Sequence, residues 1–392
     1  MTRLVFVHGV ATRSGPEYAQ SVANRDALFK KVLFEDWDLA IHTPLWGDLV
    51  PEIPVEVFDT GKVASAFTLG AGSGSVTMGV GLGNSNSGGA ATFGDTLTLA
   101  EFARSNPNAA IDALFVELLE CFDRKKQAIP QAELDSFAEA TKAISIDLAA
   151  GDAQISSGGA RAKFGQAGSD QSLREALGKR ADGTASYGVV SAIGNAIGTV
   201  TSRMRNIASR VAVDPLVDLV RPSVGFFLGD VFAYLNDGNL QSAIRAKILE
   251  ELLGAYEAKS PNEKLVVIGH SLGGVILVDI LSSPQKFGLP GDFRIDTLLT
   301  VGSQPGLFQA LGLFVEPEVH EKTPRPPGVA AWFNVFDPID PLAFRCEPVF
   351  ADVKDLRFDS ITGVASAHTT YFKRPQFYAR ARKRLLELGV IA

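Results

Sequence analysis

The chain of 392 residues is long enough for one large α/β domain with an insertion, or for two domains of ordinary size. Hydrophobic residues make up 46% and charged residues 21%, and no apolar run is long enough to span a bilayer, so a globular core is expected and a membrane-spanning or disordered chain is excluded. A formal net charge of -7 argues against nucleic acid as a partner, and Cys121 and Cys346 lack the spacing of zinc ligands, so neither a metal nor a cofactor is implied.

In chain order, Leu4 to Val7 is a short continuous apolar run ended by His8-Gly9, the pattern of a strand buried on both faces. A helix around Tyr18 to Val32 and a second apolar run, Leu39 to Trp46, complete a βαβ unit. From 55 to 213 the pattern changes. Residues 70–94 are dominated by Gly, Ser, Asn and Thr, a composition expected of a flexible loop. Two apolar stripes at helical spacing follow, one on Ile111, Leu114, Phe115, Leu118 and Phe122, the other running from Val189 to Val211. Block 55–213 therefore reads as a mainly helical, Gly-rich lid or cap inserted into a core formed by 1–54 and 214–392. The core pattern returns with a helix bearing Ile244, Ile248, Leu252 and Tyr256, then a strand at Lys264 to Ile268. Further strands are expected at Ile295 to Val301, Val329 to Phe336 and around Leu356 to Phe358, and a helix from Gln376 to Leu388 closes the chain. Strands alternating with helices predict a doubly wound, mostly parallel sheet.

The strand at Lys264 to Ile268 runs into Gly269-His270-Ser271-Leu272-Gly273 and then into the helical Val275 to Val278. A nucleophilic serine on a sharp strand-to-helix turn needs small flanking residues, so this placement points to Ser271 as a nucleophile on an α/β-hydrolase fold. A serine hydroxyl requires a histidine base, itself oriented by a carboxylate. Of the five histidines, His8 and His42 lie in the first βαβ unit and His270 is inside the turn. His320 precedes the best acid candidates, which leaves His368 as the base in the order Ser, acid, His. The strand ending at Phe336 leads into Asp337-Pro338-Ile339-Asp340-Pro341, and spacing alone does not separate the two aspartates. The backbone N–H groups of Leu272 and Val10, the latter just after His8-Gly9, are the expected oxyanion donors.

The stretch from Asn334 through Asp337-Pro338-Ile339-Asp340-Pro341 to Pro348 resembles the signature of the DDHD-domain phospholipases, enzymes of the α/β-hydrolase superfamily. Gly302-Ser303-Gln304-Pro305-Gly306, Gly229-Asp230-Val231 with Tyr234, and His368 with Tyr371-Phe372 are similar in kind and order. The resemblance covers roughly 226–372 and the opening strand. It implies Asp340 as the acid, because the position of Asp337 is usually not acidic in that family. Two departures stand out: Phe372 where Trp is common, and no acidic residue in Lys373-Arg374-Pro375-Gln376.

The resulting expectation is an ester hydrolase working through an acyl-enzyme on a lipid or phospholipid. A soluble small-ester carboxylesterase and a non-catalytic binding module with the same fold are the alternatives. The substrate partner is a lipid or other small ester; the Val189 to Val211 stripe is compatible with transient contact at a membrane surface, and the oligomeric state is open. With His8 where a signal peptide would still be apolar, a cytoplasmic location, peripheral at a membrane where it meets lipid, is expected.

Overall fold

The computed structural model describes residues 2–10, 12–51, 98–150, 158–169, 171–173, 196–200, 229–236, 238–314, 321–358 and 367–392. The Gly-rich segment 70–94, most of the stripe from Val189 to Val211, and His320 lie outside the described residues.

Among those residues, six strands form one sheet: β1 (Thr2–Val7), β2 (Ala40–His42), β3 (Lys264–His270), β4 (Thr297–Val301), β5 (Trp332–Phe336) and β6 (Val353–Arg357). Their order is β2-β1-β3-β4-β5-β6 and every pair is parallel. The first five strands fall on the expected apolar runs, whereas β6 begins at Val353, three residues before the stretch expected around Leu356 to Phe358, because its Lys354 and Asp355 break the apolar pattern. The run from Leu39 keeps only Ala40–His42 in the ladder, paired with Arg3, Leu4 and Val5. Beyond it, Trp46 is fully buried and its indole N–H donates to the His8 carbonyl at 2.9 Å, so this apolar residue serves the core from outside the sheet.

Side chains alternate across a strand, and here both faces are covered. Leu4, Phe6, Val266, Ile268, Leu299 and Val301 belong to one buried cluster, while Val5, Val7, Leu265, Val267 and Leu298 belong to another on the opposite face. On the second face pack α5 (Asn239–Glu257), through Ile244, Ile248 and Leu252, and α6 (Leu272–Ser282), whose apolar residues are buried all round. The first face carries α1 (Pro16–Leu28), α3 (Pro107–Arg124), α4 (Gln131–Ala150) and α8 (Pro375–Glu387). The remaining labelled helices are α2 (Leu99–Ser105), which opens with a capping box from Thr98 to Glu101, and α7 (Pro305–Ala310). The described helices of block 55–213 thus share a core with the strands: Phe137 of α4 stacks edge-on against both Phe115 of α3 and Tyr378 of α8.

The sheet reverses its winding between β1 and β3. β2 lies on one side of β1 and the later strands on the other, so a crevice opens beyond the carboxyl ends of β1 and β3. His8-Gly9 and Ser271 both stand there.

One buried acid ties α3 to α8. Asp112 accepts hydrogen bonds from the backbone N–H and the side-chain amide of Gln376, both at 3.0 Å, and burial pushes its carboxyl up to about 7. The unfolded value is about 4, so between the two the folded protein holds a proton that the unfolded chain has released. Stability from this group is therefore lost as pH rises from about 4 to 7, at about 1.4 kcal/mol per pH unit. Asp112→Asn, which keeps an acceptor oxygen, should gain on the wild type by that slope across the window. Urea midpoints at pH 5 and pH 8 check this; a difference that does not change with pH would contradict it.

Candidate active site

The geometry begins at Ser271. β3 hands directly to α6, and at the junction Ser271 takes φ 52° and ψ -130°, a left-handed backbone that costs a non-glycine residue about 1–3 kcal/mol. Its N–H donates to the Val301 carbonyl at 3.0 Å, and its own carbonyl accepts from Ser303 Oγ at 2.6 Å. These contacts on both sides hold the strained residue in place. The flanking glycines are needed because neighbouring chains pass so close. A Cβ on Gly273 would lie 2.4 Å from the Val7 carbonyl oxygen, and one on Gly274 would lie 2.4 Å from Ser303 Oγ. A Cβ on Gly9 would come within 2.6 Å of the Ser271 Cβ, so the chain after β1 rests against the serine itself.

His368 reaches Ser271 from the loop before α8. Its Nε2 lies 2.9 Å from Ser271 Oγ, and its Nδ1 lies 2.9 Å from Asp340 Oδ2 and 3.2 Å from Oδ1. The Asp340 side chain and Ser271 are fully buried, and the His368 side chain between them is 13% exposed, so both ends of the chain of hydrogen bonds are shielded and its middle is the part that meets solvent. Asp340 is braced twice more: Oδ1 accepts from the Leu342 N–H at 2.9 Å, and Oδ2 accepts from the Tyr371 hydroxyl at 3.0 Å. Burial, followed by the Asp340 charge, pushes the Tyr371 hydroxyl far up, so it acts as a donor here.

The two aspartates left open by spacing have different neighbours. Asp337 pairs instead with Arg374 at 3.2 Å, both side chains fully buried. Arg374 also donates to Thr370 Oγ1 at 2.6 Å and to the Ala367 carbonyl at 3.4 Å. It thereby ties the loop that carries the acid to the loop that carries the histidine. Asp337 accepts from the Ile339 N–H, closing the turn that aims Asp340. Gln304 adds a further tie through its amide, which donates to the Leu342 carbonyl.

Of the other histidines, His42 pairs with Glu251 at 3.0 Å on the far edge of the sheet. His270 donates through Nε2 to the His368 carbonyl at 2.9 Å; burial, followed by repulsion from His368, lowers its pKa to about 3. A neutral imidazole is thus held under the loop that positions His368. The two expected backbone donors also lie here: Leu272 is the first residue of α6, where N–H groups lack partners within the helix, and Val10 follows Gly9.

Sequence reasoning missed Tyr371, Arg374, Ser303 and the pair Arg13–Asp230 at 2.9 Å, which anchors the chain after Gly9 to the helical turn at 229–235. Asp230, Ser303 and Tyr371 each lie in one of the quoted motif stretches, so the motifs marked them without giving their contacts. Chemically, a hydroxyl, an imidazole and a carboxylate in series can abstract a proton from the serine and return it to a leaving group.

The chain is 35% identical over 94 residues to a protein of Saccharomyces cerevisiae named "Probable phospholipase, mitochondrial", a match covering 22% of this chain and 13% of that protein. It is 28% identical over 158 residues to a Schizosaccharomyces pombe protein of the same description, covering 34% of this chain and 21% of the relative. The matches thus span about a fifth or less of the relatives' own length. No family model matches, and no solved structure matches at a significant level. Both relatives are named mitochondrial, which overturns the expected cytoplasmic location; the residues on which that expectation rested, around His8, build the end of β1 and its turn. The sequence similarity supports a lipase- or phospholipase-like family, and the sheet supports an α/β fold.

Proposed function

We propose that this chain is a serine hydrolase of the α/β-hydrolase type, akin to the DDHD-domain phospholipases, that cleaves acyl esters of lipids. The observation that carries the reading is the hydrogen-bonded series Ser271 Oγ, His368 Nε2, His368 Nδ1 and Asp340 Oδ2, with 2.9 Å at both junctions. The relatives' names supply the lipid, and they point to a mitochondrial location.

In this reading His368 removes the Ser271 proton as Oγ attacks the ester carbonyl, and Asp340 keeps the imidazole in the tautomer with Nδ1–H. Negative charge on the carbonyl oxygen is met by the N–H groups of Leu272 and Val10. The tetrahedral adduct collapses as His368 gives its proton to the leaving alcohol, and a water activated by the same imidazole then releases the acid from the acyl-enzyme. Core 1–54 and 214–392 supplies these residues, and block 55–213 is the proposed insertion, of which α3 and α4 pack on the first face of the sheet rather than over the serine.

A fluorophosphonate probe tests the nucleophile: the folded wild type should be labelled, Ser271→Ala should not, and an unlabelled wild type would sink the reading. Gly9→Ala, whose new methyl would press on the Ser271 Cβ, should slow labelling by at least about a hundredfold through displacement of the serine and its adjacent donor. Labelling at the wild-type rate would show that the chain after β1 can move aside. Turnover of a long-chain lipid compared with a short soluble ester separates a lipase from a small-ester carboxylesterase.

A further inference from the structure

Next to the serine turn lies a buried histidine that the reaction described above does not use. His8 is 5% exposed, stacks on Trp46 at 5.1 Å with planes 7° apart, and its Nδ1 lies 2.8 Å from the Gly9 carbonyl oxygen. A carbonyl accepts only, so Nδ1 carries the proton and donates. The other nitrogen, Nε2, is buried and has no hydrogen-bond partner among the described residues. A buried acceptor left unmade is costly, and a phenylalanine would fill the same place on Trp46 without that cost. What the histidine adds is the Nδ1 donor.

The oxygen that receives this bond belongs to the peptide unit shared by Gly9 and Val10. A peptide is planar and trans, so the Gly9 carbonyl and the Val10 N–H point in opposite directions from one rigid unit. Fixing the oxygen therefore fixes the N–H, and a bond at the oxygen also polarises it. The unit stands against the nucleophile: a Cβ on Gly9 would lie 3.3 Å from Ser271 Oγ. Among the described residues the Val10 N–H has no hydrogen-bond partner. Thr12 Oγ1 lies 3.2 Å from the Gly9 oxygen and 3.3 Å from that of Val10, so its single proton is shared, and the contact from His8 is the shorter one.

The histidine is itself held. Trp46, whose ring lies on the imidazole, donates its N–H to the His8 carbonyl at 2.9 Å, and further along the Ser14 N–H donates to Asp48 at 2.7 Å. A cavity of about 170 Å³ between α1, α3 and the loop bearing His368 has His8, Thr12 and His270 in its wall, but none of Ser271, His368 and Asp340. His8 therefore acts through the peptide it holds and not on a bound substrate.

We propose that His8 is a positioning residue of the oxyanion site: by holding the Gly9 carbonyl, its Nδ1–H aims the Val10 N–H at the carbonyl oxygen of the ester. The proposal rests on the hydrolase reading above and adds the group that sets one of its two backbone donors. No proton passes through His8. Burial lowers its pKa to about 4, so near neutral pH it holds the peptide as an uncharged ring.

The test pairs His8→Phe, which keeps a ring on Trp46 and removes the donor, with His8→Asn, whose Nδ2 takes the place of Nδ1. On a short soluble ester, His8→Phe should lower kcat by about a hundredfold, the lower end of the cost of one oxyanion donor, with KM changed by less than about twofold. His8→Asn should regain about tenfold of that loss or more. Inhibition by an alkyl trifluoromethyl ketone, whose adduct with serine carries the oxyanion, should weaken in proportion to kcat/KM across the variants. A kcat in His8→Phe within about threefold of the wild type, or equal losses in both variants with the inhibitor unaffected, would overturn the proposal. The ring 15N shifts of His8 in the wild type need no variant that folds. They should show the proton on Nδ1, and a proton on Nε2 would equally overturn the proposal. If the wild type cleaves no ester and takes no fluorophosphonate, the hydrolase reading fails instead. The ring tautomer and the Val10 amide 15N shift, which should move in His8→Phe as the bond at the Gly9 oxygen is lost, then decide by themselves whether His8 holds this peptide.

Discussion

Asp340→Asn should lower kcat by about four orders of magnitude with little change in the unfolding midpoint, because the amide would invert the tautomer of His368. Two orientations of that amide are available. With its oxygen at the Oδ1 position it still accepts from the Leu342 N–H, and its NH2 then faces His368 Nδ1. Reversed, the NH2 would face the Leu342 N–H, donor against donor. The first is therefore preferred, Nδ1 becomes the acceptor, and the proton moves to Nε2, the atom 2.9 Å from Ser271 Oγ that must be free to act as base. Tyr371, whose hydroxyl bridges the Asp337 N–H and Asp340, can rotate to accept from the amide, so folding should survive. His368→Ala should abolish turnover while His320→Ala should not. The reverse result would transfer the base to His320, and full activity in Asp340→Asn with loss in Asp337→Asn would transfer the acid to Asp337. Ester hydrolysis and urea unfolding of the same preparations give both readouts.

Arg374→Met should cost about 3–5 kcal/mol of stability, the effect of leaving one charge of a fully buried pair without its partner. Asp337 would then lie in the interior with only the Ile339 N–H and the turn to hold it, and Thr370 and the Ala367 carbonyl would lose a donor. Removing both charges is different. Arg374→Met with Asp337→Leu should recover much of the loss, because an apolar pair of similar volume avoids the desolvation of two ions. Activity should not recover with it, since the guanidinium also ties the acid loop to the histidine loop. Denaturant midpoints for the two single variants and the double variant measure the coupling. A cost below about 1 kcal/mol for the single change would place the pair among those that contribute little. If stability and activity recovered together, Arg374 would hold up the fold without positioning His368.

How far the sequence could be read follows the range of the forces involved. β1 and β3 were legible because a strand buried on both faces must be apolar at every position. Ser271 was legible because a serine on a strained turn needs glycine or another small residue next to it. These are constraints between neighbours along the chain. Three helices were legible in the same way, from spacing: Pro107–Arg124, Asn239–Glu257 and Pro375–Glu387 each carry the apolar stripe expected of them, whereas Gln131–Ala150 was not read. The strand expected from Leu39 to Trp46 was too long, because an edge strand ends where its single neighbour stops pairing, and the residues of the edge strand do not encode that point.

The partners of Asp337 and Asp340 could not be read this way. Both aspartates stand at the end of the same strand, three residues apart, and no local preference distinguishes them. Which one meets an imidazole and which a guanidinium depends on residues 28 and 37 positions away, brought in by the turn before α8. His8 is the same case. Its sequence context marks only the end of a strand, and its stacking on Trp46, its bond to the Gly9 carbonyl and its unpartnered nitrogen exist only once the chain has folded. The sequence alone determined the buried strands, the helix faces and the serine at its turn, since each is set by what a residue requires of its neighbours. The tertiary structure alone decided the partner of each charge and the shape of the cavity beside the serine, since electrostatic pairing and cavity walls join groups that are near in space and far along the chain.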